Sequence, residues 1–109
     1  MAQTIEAHDA SLRAATSNDL PAIERLLVAS GLPTAGVAEA LTSFIVAESE
    51  QGKRIVGVVG LELCCDEYAL LRSTAVEPEW RGTGLGRRLV THVIADAQSR
   101  GIKALYLLT

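Results

Sequence analysis

The spacing of apolar positions changes period along the chain. Leu20, Ile23, Leu26 and Leu27 recur at helical spacing. Leu85, Leu89, Val93 and Ala97 do so at steps of four, with Val90 and Ile94 alongside. Shorter apolar runs, partly β-branched, read as strands at 11–15, 44–47, 54–63, 70–76 and 104–108. The punctuation agrees with this. Thr16, Ser17, Asn18 and Asp19 offer N-caps ahead of Pro21, and Gly31 with Pro33 stops the first helix. Residues 34–41 read as a second short helix, 48–53 as a hairpin turn around Gly52, and Asp66-Glu67 as the next turn. Gly101 ends the long helix. The expected order is strand, helix, short helix, three antiparallel strands, helix, strand. The last strand follows a helical crossover, as parallel pairing requires. This is an α/β (α+β) mixed sheet.

Composition narrows the picture. A chain of 109 residues is one domain at most, and 49% apolar content suits a packed core. Ten Lys+Arg against 13 Asp+Glu give a net charge of −3, without the basic excess that nucleic-acid binding needs. No apolar run approaches the ~20 residues of a membrane span. The N-terminus, MAQTIEAHDA, lacks the basic and apolar regions of a signal peptide, so the cytoplasm is expected. Cys64 and Cys65 are adjacent and too few for a zinc site. They read as reduced thiols, and no metal is expected. On the long helix, Arg87, Arg88, Asp96 and Arg100 are expected to face solvent, and His92 reads as a solvated helix residue.

One stretch carries candidate chemistry: LLRSTAVEPEWRGTGLGRRL, residues 70–89. A strand is broken by Glu77-Pro78-Glu79-Trp80, because proline lacks an amide donor. Arg81-Gly82-Thr83-Gly84-Leu85-Gly86 then turns into a helix expected to start at Arg87. The first amides of a helix have no intrahelical acceptors, and the macrodipole adds positive charge there. Glycines remove side chains that would block an anion. The stretch therefore reads as a phosphate-binding loop with cationic help from Arg81, Arg87 and Arg88. It is not a Walker A loop, since the required lysine is absent. It is not the dinucleotide fingerprint either, since the third glycine would fall at Arg87.

What remains is R-x-x-G-x-G on Arg81, Gly84 and Gly86, within A-V-x-P-x-x-R-G-x-G-L-G. This resembles motif A of the GNAT superfamily of N-acetyltransferases, and the likeness extends over 12–109. Short segments also resemble the small acetyltransferases associated with arsenic resistance: ASGLPT at 29–34, VVGLE at 58–62, LLRS at 70–73 and LYLLT at 105–109. The resemblance implies that acetyl-CoA is the cosubstrate. Main-chain groups of Thr74, Ala75 and Val76 would meet its pantetheine arm, and the loop Arg81, Gly82, Thr83, Gly84, Leu85, Gly86 and Arg87 its pyrophosphate. An amine of a small molecule or peptide would attack the thioester directly.

That chemistry needs a base, an oxyanion donor and an acid. Glu62 is the preferred base, ahead of Glu67, and the main-chain amide near Val76 is the donor. Arg72 and Ser73 are candidates for an acidic group of the acceptor. The tyrosine acid that the resemblance implies would lie in a helix beyond the final strand, and neither Tyr68 nor Tyr106 matches its position. The chain is thus expected to be a single GNAT-like domain, 1–109, truncated after the fifth strand and lacking the usual C-terminal helix and two strands. The alternative function is a non-catalytic or partner-completed CoA-binding module. The final strand, apolar on both faces, is expected to act as a free edge through which the chain forms a homo-oligomer.

Overall fold

The computed structural model describes residues 9–63 and 67–107. Cys64, Cys65 and Asp66, most of the N-terminal stretch and the last two positions lie outside the described residues. Five strands form one sheet in the order β1-β2-β3-β4-β5. They are β1 (Ala10–Ala14), β2 (Phe44–Ser49), β3 (Ile55–Leu63), β4 (Tyr68–Val76) and β5 (Ala104–Leu107). The first four pair antiparallel, and β5 runs parallel to β4 after the crossover helix. Helix α1 (Leu20–Ala29) covers one face of the sheet and α2 (Leu85–Ser99) the other.

The two helical stripes read from the sequence are the packed faces. Ile23, Leu26 and Leu27 of α1 are buried with Phe44, Val46, Val58 and Ala75. Leu85, Leu89, Val93 and Ala97 of α2 are buried with Ala47, Val59, Leu61, Ala69 and Leu71. Two glycines on β3 make this packing possible. A Cβ at Gly60 would sit 2.5 Å from the Phe44 ring, and one at Gly57 would sit 2.9 Å from Leu89. The sheet can therefore carry a fully buried Phe44 on one side and a helix pressed close on the other. Burial of such a ring contributes about 1.5–3 kcal/mol.

Three local expectations change. Residues 35–40 form turns, and Leu41–Ser43 a single 3₁₀ turn, in place of a second short helix. Gly36 sits at φ +82°, a left-handed conformation that interrupts a right-handed helix. Helix α2 begins at Leu85 rather than Arg87, because the left-handed Gly84 (φ +89°) is its cap and Arg88 N–H already bonds Gly84 C=O at 3.0 Å. Arg88 is exposed along much of its length but turns its guanidinium to the carbonyl of Ala10 at 2.9 Å, so it ties α2 to the edge strand β1. His92 is exposed, as expected.

Strand β4 carries a bulge. Val58 faces Ala75, while Gly60 faces Arg72, so Ser73 and Thr74 together oppose Val59. The extra residue reverses the faces: Leu71 packs in the α2 layer and Ala75 in the α1 layer. Two residues four apart on an unbroken strand would share a face. Ser73 holds the kink at φ +61°, a left-handed value that costs a non-glycine residue on the order of 1–3 kcal/mol.

Candidate functional site

The glycine loop lies past the end of β4. Glu77 N–H bonds Val56 C=O at 2.9 Å, closing the ladder, and Pro78–Trp80 makes one 3₁₀ turn that buries Trp80 under the α2 layer. Arg81, Gly82, Thr83 and Gly84 are all exposed. The Thr83 hydroxyl donates to Trp80 C=O at 2.6 Å, which braces the turn from inside. Since Arg88 makes the first intrahelical bond, the amides of Leu85, Gly86 and Arg87 have no acceptor within the helix. Among the described residues no side chain caps this end, and no acidic residue occupies its first turn. The positive end of α2 is therefore left open.

Each glycine of the loop has its own reason. Gly82 and Gly84 take φ of +81° and +89°, which L-residues rarely adopt. Gly86 has an ordinary helical backbone, and an added Cβ would meet only Val76 Cγ2 at 3.9 Å. Neither conformation nor internal packing asks for glycine there, although glycine in a helix costs about 1 kcal/mol relative to alanine. What it provides is bare backbone at a helix start, the cradle a phosphate group needs. The residues present thus fit a pyrophosphate.

The alternation of the ladder assigns directions to the β4 main chain. Because Glu77 bonds into β3, so do the polar groups of Ala75, opposite Val58, and those of Val76 point to the other side. Arg81 Nε lies 3.4 Å from Val76 C=O on that side. Val59 bonds toward β2, so Ser73 and Thr74 face no ladder partner on β3. Pairing with β5 occupies only Tyr68–Leu71 among the described residues. The Val76 amide therefore sits on an open flank of β4, beside the glycine loop. Ala75, by contrast, contributes its side chain to the core and its main chain to β3.

A second concavity, about 350 Å³, lies on the α1 side of the sheet and is lined by Leu32, Pro33, Glu62, Leu70, Arg72 and Ser73. It falls in the size range of small-molecule sites. Glu62 is exposed, and among the described residues only Arg72 pairs with it, at 3.1 Å. Arg72 also donates to Ser73 Oγ at 3.0 Å and to Ala35 C=O at 3.0 Å. Tyr106, 56% exposed, pairs in register with Leu70 and so flanks this face, with its ring 6.2 Å from that of Tyr68. Glu67 lies just before β4 at the end remote from the loop and pairs with Lys103 at 3.7 Å. The structure thus brings Glu62, Arg72 and Ser73 together.

It does not bring Glu62 to Val76. Glu62 faces Leu70 while Val76 faces Gly57, five positions away on β3, or roughly 17 Å of strand at about 3.3 Å per residue. Leu32, Pro33 and Leu70 are wall residues that the sequence reading missed. In the sequence, Leu32 and Pro33 read only as part of the stop after α1, and Leu70 only as the start of a strand.

A mixed sheet with a helix on each face thus carries, between β4 and α2, a strand–loop–helix unit whose open helix start suits an anion. The chain belongs to the acetyltransferase (GNAT) family, whose model matches residues 10–109. Among solved structures, the Rv2747 protein of Mycobacterium tuberculosis, in complex with CoA, superposes with a TM-score of 0.82 at 25% identity, covering 91% of this chain and 64% of that one. N-acetylglutamate synthase of Neisseria gonorrhoeae, complexed with coenzyme A and N-acetyl-glutamate, gives 0.80 at 25% identity, with 93% of this chain and 25% of that one covered. Glucosamine-6-phosphate N-acetyltransferase of Arabidopsis thaliana shares the fold at a TM-score of 0.72 and 21% identity, covering 93% of this chain and 82% of that one. The chain thus spans under two thirds of the first two relatives. The narrower likeness to the arsenic-resistance acetyltransferases rests on its short segments alone.

Proposed function

We propose that this chain binds acetyl-CoA at the loop 81–87 and transfers the acetyl group to the amine of a small molecule held on the α1 side of the sheet. The observation that carries the reading is the uncapped start of α2, where three amides and a glycine without internal purpose face an open flank of β4. Arg81, Gly82, Thr83, Gly84, Leu85, Gly86 and Arg87 hold the pyrophosphate, and Thr74 and Val76 offer main-chain groups to the pantetheine arm. When bound, acetyl-CoA supplies the activated acyl group. The Val76 amide donates to the oxygen on which charge develops. Glu62 takes the amine proton through water, because the separation along β4 is too long for direct transfer.

That separation also favours one rival, a CoA-binding module without turnover. Calorimetry and a thiol-release assay divide the two. Gly84→Val forces a β-branched residue into φ +89° and closes the cradle, so CoA binding should be lost in a protein that remains folded by circular dichroism. Unchanged affinity would overturn the binding reading. Glu62→Gln should leave CoA affinity alone and lower turnover by about 10²–10⁴-fold. Equal turnover in the two proteins would remove Glu62 from the mechanism.

Self-association through β5 belongs to the same reading. Among the described residues nothing pairs with its outer edge, and the exposed Tyr106 lies on it. Light scattering should find dimers that Tyr106→Lys weakens, and a monomer at high concentration would refute the idea.

A further inference from the structure

Arg72 ties its own neighbour on β4 to strand β3 and to the segment that follows α1, 37 positions away. Its Nε donates to Ser73 Oγ at 3.0 Å, its Nη1 to Glu62 Oε1 at 3.1 Å and its Nη2 to the carbonyl of Ala35 at 3.0 Å. Its side chain is only 20% exposed. Glu62 and Ser73 line the α1-side concavity, and Ala35 lies just beyond its wall residues Leu32 and Pro33. Ala35 follows Leu32 and Pro33 in the chain and opens the turns of 35–40. Glu62 supplies the carboxylate. Ser73 is the left-handed residue at the bulge, next to the stretch of β4 that turns its amides outward. Gly36 comes up against the same guanidinium, since a Cβ there would lie 3.6 Å from Nη1.

A planar guanidinium carries five donors in a fixed fork and can meet three acceptors in three directions at once. Here three of those donors are committed to the protein. Arg72 is thereby better placed to build the concavity than to bind an acidic group in it. We propose that Arg72 is the positioning residue of the acceptor side: one guanidinium orients Glu62, holds the Ser73 bulge and docks the turns of 35–40. The proposal rests on the acetyltransferase reading for its catalytic consequence, but the clamp itself can be tested without it.

The comparison uses the full chain and the variants Arg72→Lys and Arg72→Met. Within the docked turns, Val37 N–H bonds Thr34 C=O at 3.2 Å and Ala40 N–H bonds Gly36 C=O at 3.1 Å. Hydrogen exchange at these two amides should accelerate by about 10-fold or more in both variants, while the amides of α2 keep their protection. CoA affinity by calorimetry should stay unchanged, because the loop 81–87 makes no contact with the clamp in the bonds above. With acetyl-CoA and a panel of small primary amines, kcat should fall on the order of 10²-fold at constant KM for acetyl-CoA, the effect of misplacing a reacting group by about 1 Å. Lysine should fail to rescue, since it restores the charge but not the fork. Unchanged exchange at Val37 and Ala40, or full rescue by lysine, would overturn the proposal. Should the unsubstituted protein fail to bind CoA, the acetyltransferase reading falls, and the exchange comparison still decides the clamp. Should no amine of the panel turn over, exchange alone decides it.

Discussion

The two helices begin in opposite ways. Ahead of α1, the Asp19 carboxylate accepts from the Thr16 amide at 2.8 Å and from the Thr16 hydroxyl at 3.1 Å. It also accepts two bonds from Arg13, at 2.8 and 2.9 Å. Pro21 occupies the first turn, where a missing amide hydrogen costs nothing. Among the described residues no side chain caps α1 itself. Instead the 3₁₀ turn Ser17–Asp19, held by these bonds, takes the Leu20 amide on Ser17 C=O, and Pro21 has no amide hydrogen, so this start is closed by the chain itself. Helix α2 starts from a left-handed glycine, with no acid, no capping side chain and three exposed or half-exposed positions at 84, 86 and 87. A sealed helix start is scaffold. One left unsealed, at a price in apo stability, keeps its first amides available to an anion, as proposed for the loop 81–87.

The larger test of this contrast lies at α1. The Arg13 hydrogen bonds, together with the Thr16 amide, hold the Asp19 carboxyl down at about 2, below its ordinary 3.8, against the opposing effect of burial. A carboxyl whose folded value is depressed contributes stability above its unfolded value and loses it as the pH falls toward the folded one. The contribution is thus complete at neutral pH and disappears between about pH 4 and about pH 2. It amounts to at most about 2 kcal/mol, less for the partly exposed Arg13 partner. Asp19→Asn should therefore destabilise the protein by about 1–2 kcal/mol at neutral pH and flatten the acid limb of its urea-melt stability. It should leave CoA affinity unchanged. A loss of CoA binding in the folded Asp19→Asn protein would break the division between scaffold and site.

Much of this division was legible in the sequence, and the reason is locality. The α1 start occupies Thr16 to Pro21, and the α2 cradle occupies Val76 to Arg87. Each is a contiguous run whose backbone chemistry is decided by glycine, proline and capping residues close by. The helical stripes and the antiparallel order of β2, β3 and β4 were legible for the same reason. The α1-side concavity was not. Its walls come from 32–33, 62, 70, 72 and 73, and the Arg72–Ala35 bond spans 37 positions. No periodicity signals such a contact. The bulge escaped for a related reason. Ser73 has no glycine to announce a positive φ, and only the pairing of Val58 with Ala75 and of Gly60 with Arg72 exposes the extra residue. The short helix expected at 34–41 is replaced by turns at 35–40, where Gly36 takes a left-handed φ that the residue pattern did not announce.

The smallest effect gives the sharpest contrast, because it carries two signs. Gly86 lies in the first turn of α2 with a negative, helical φ. Replacing it with alanine removes unfolded-state freedom at a position whose backbone alanine adopts without strain. The new methyl group would touch only Val76 Cγ2, at 3.9 Å, an ordinary contact. The apo protein should therefore gain about 0.5–1 kcal/mol. The Cα–Cβ bonds of a helix tilt toward its N-terminus, so the same methyl projects toward the space from which an anion reaches the amides of Leu85 to Arg87. CoA affinity should fall while stability rises. A thermal melt without ligand and a calorimetric titration on the same sample read the two signs separately. At a glycine kept only for the fold, stability would not rise on substitution, and at one kept for nothing, affinity would not fall. A gain in stability joined to a loss of binding requires that the open helix start is held open for a ligand.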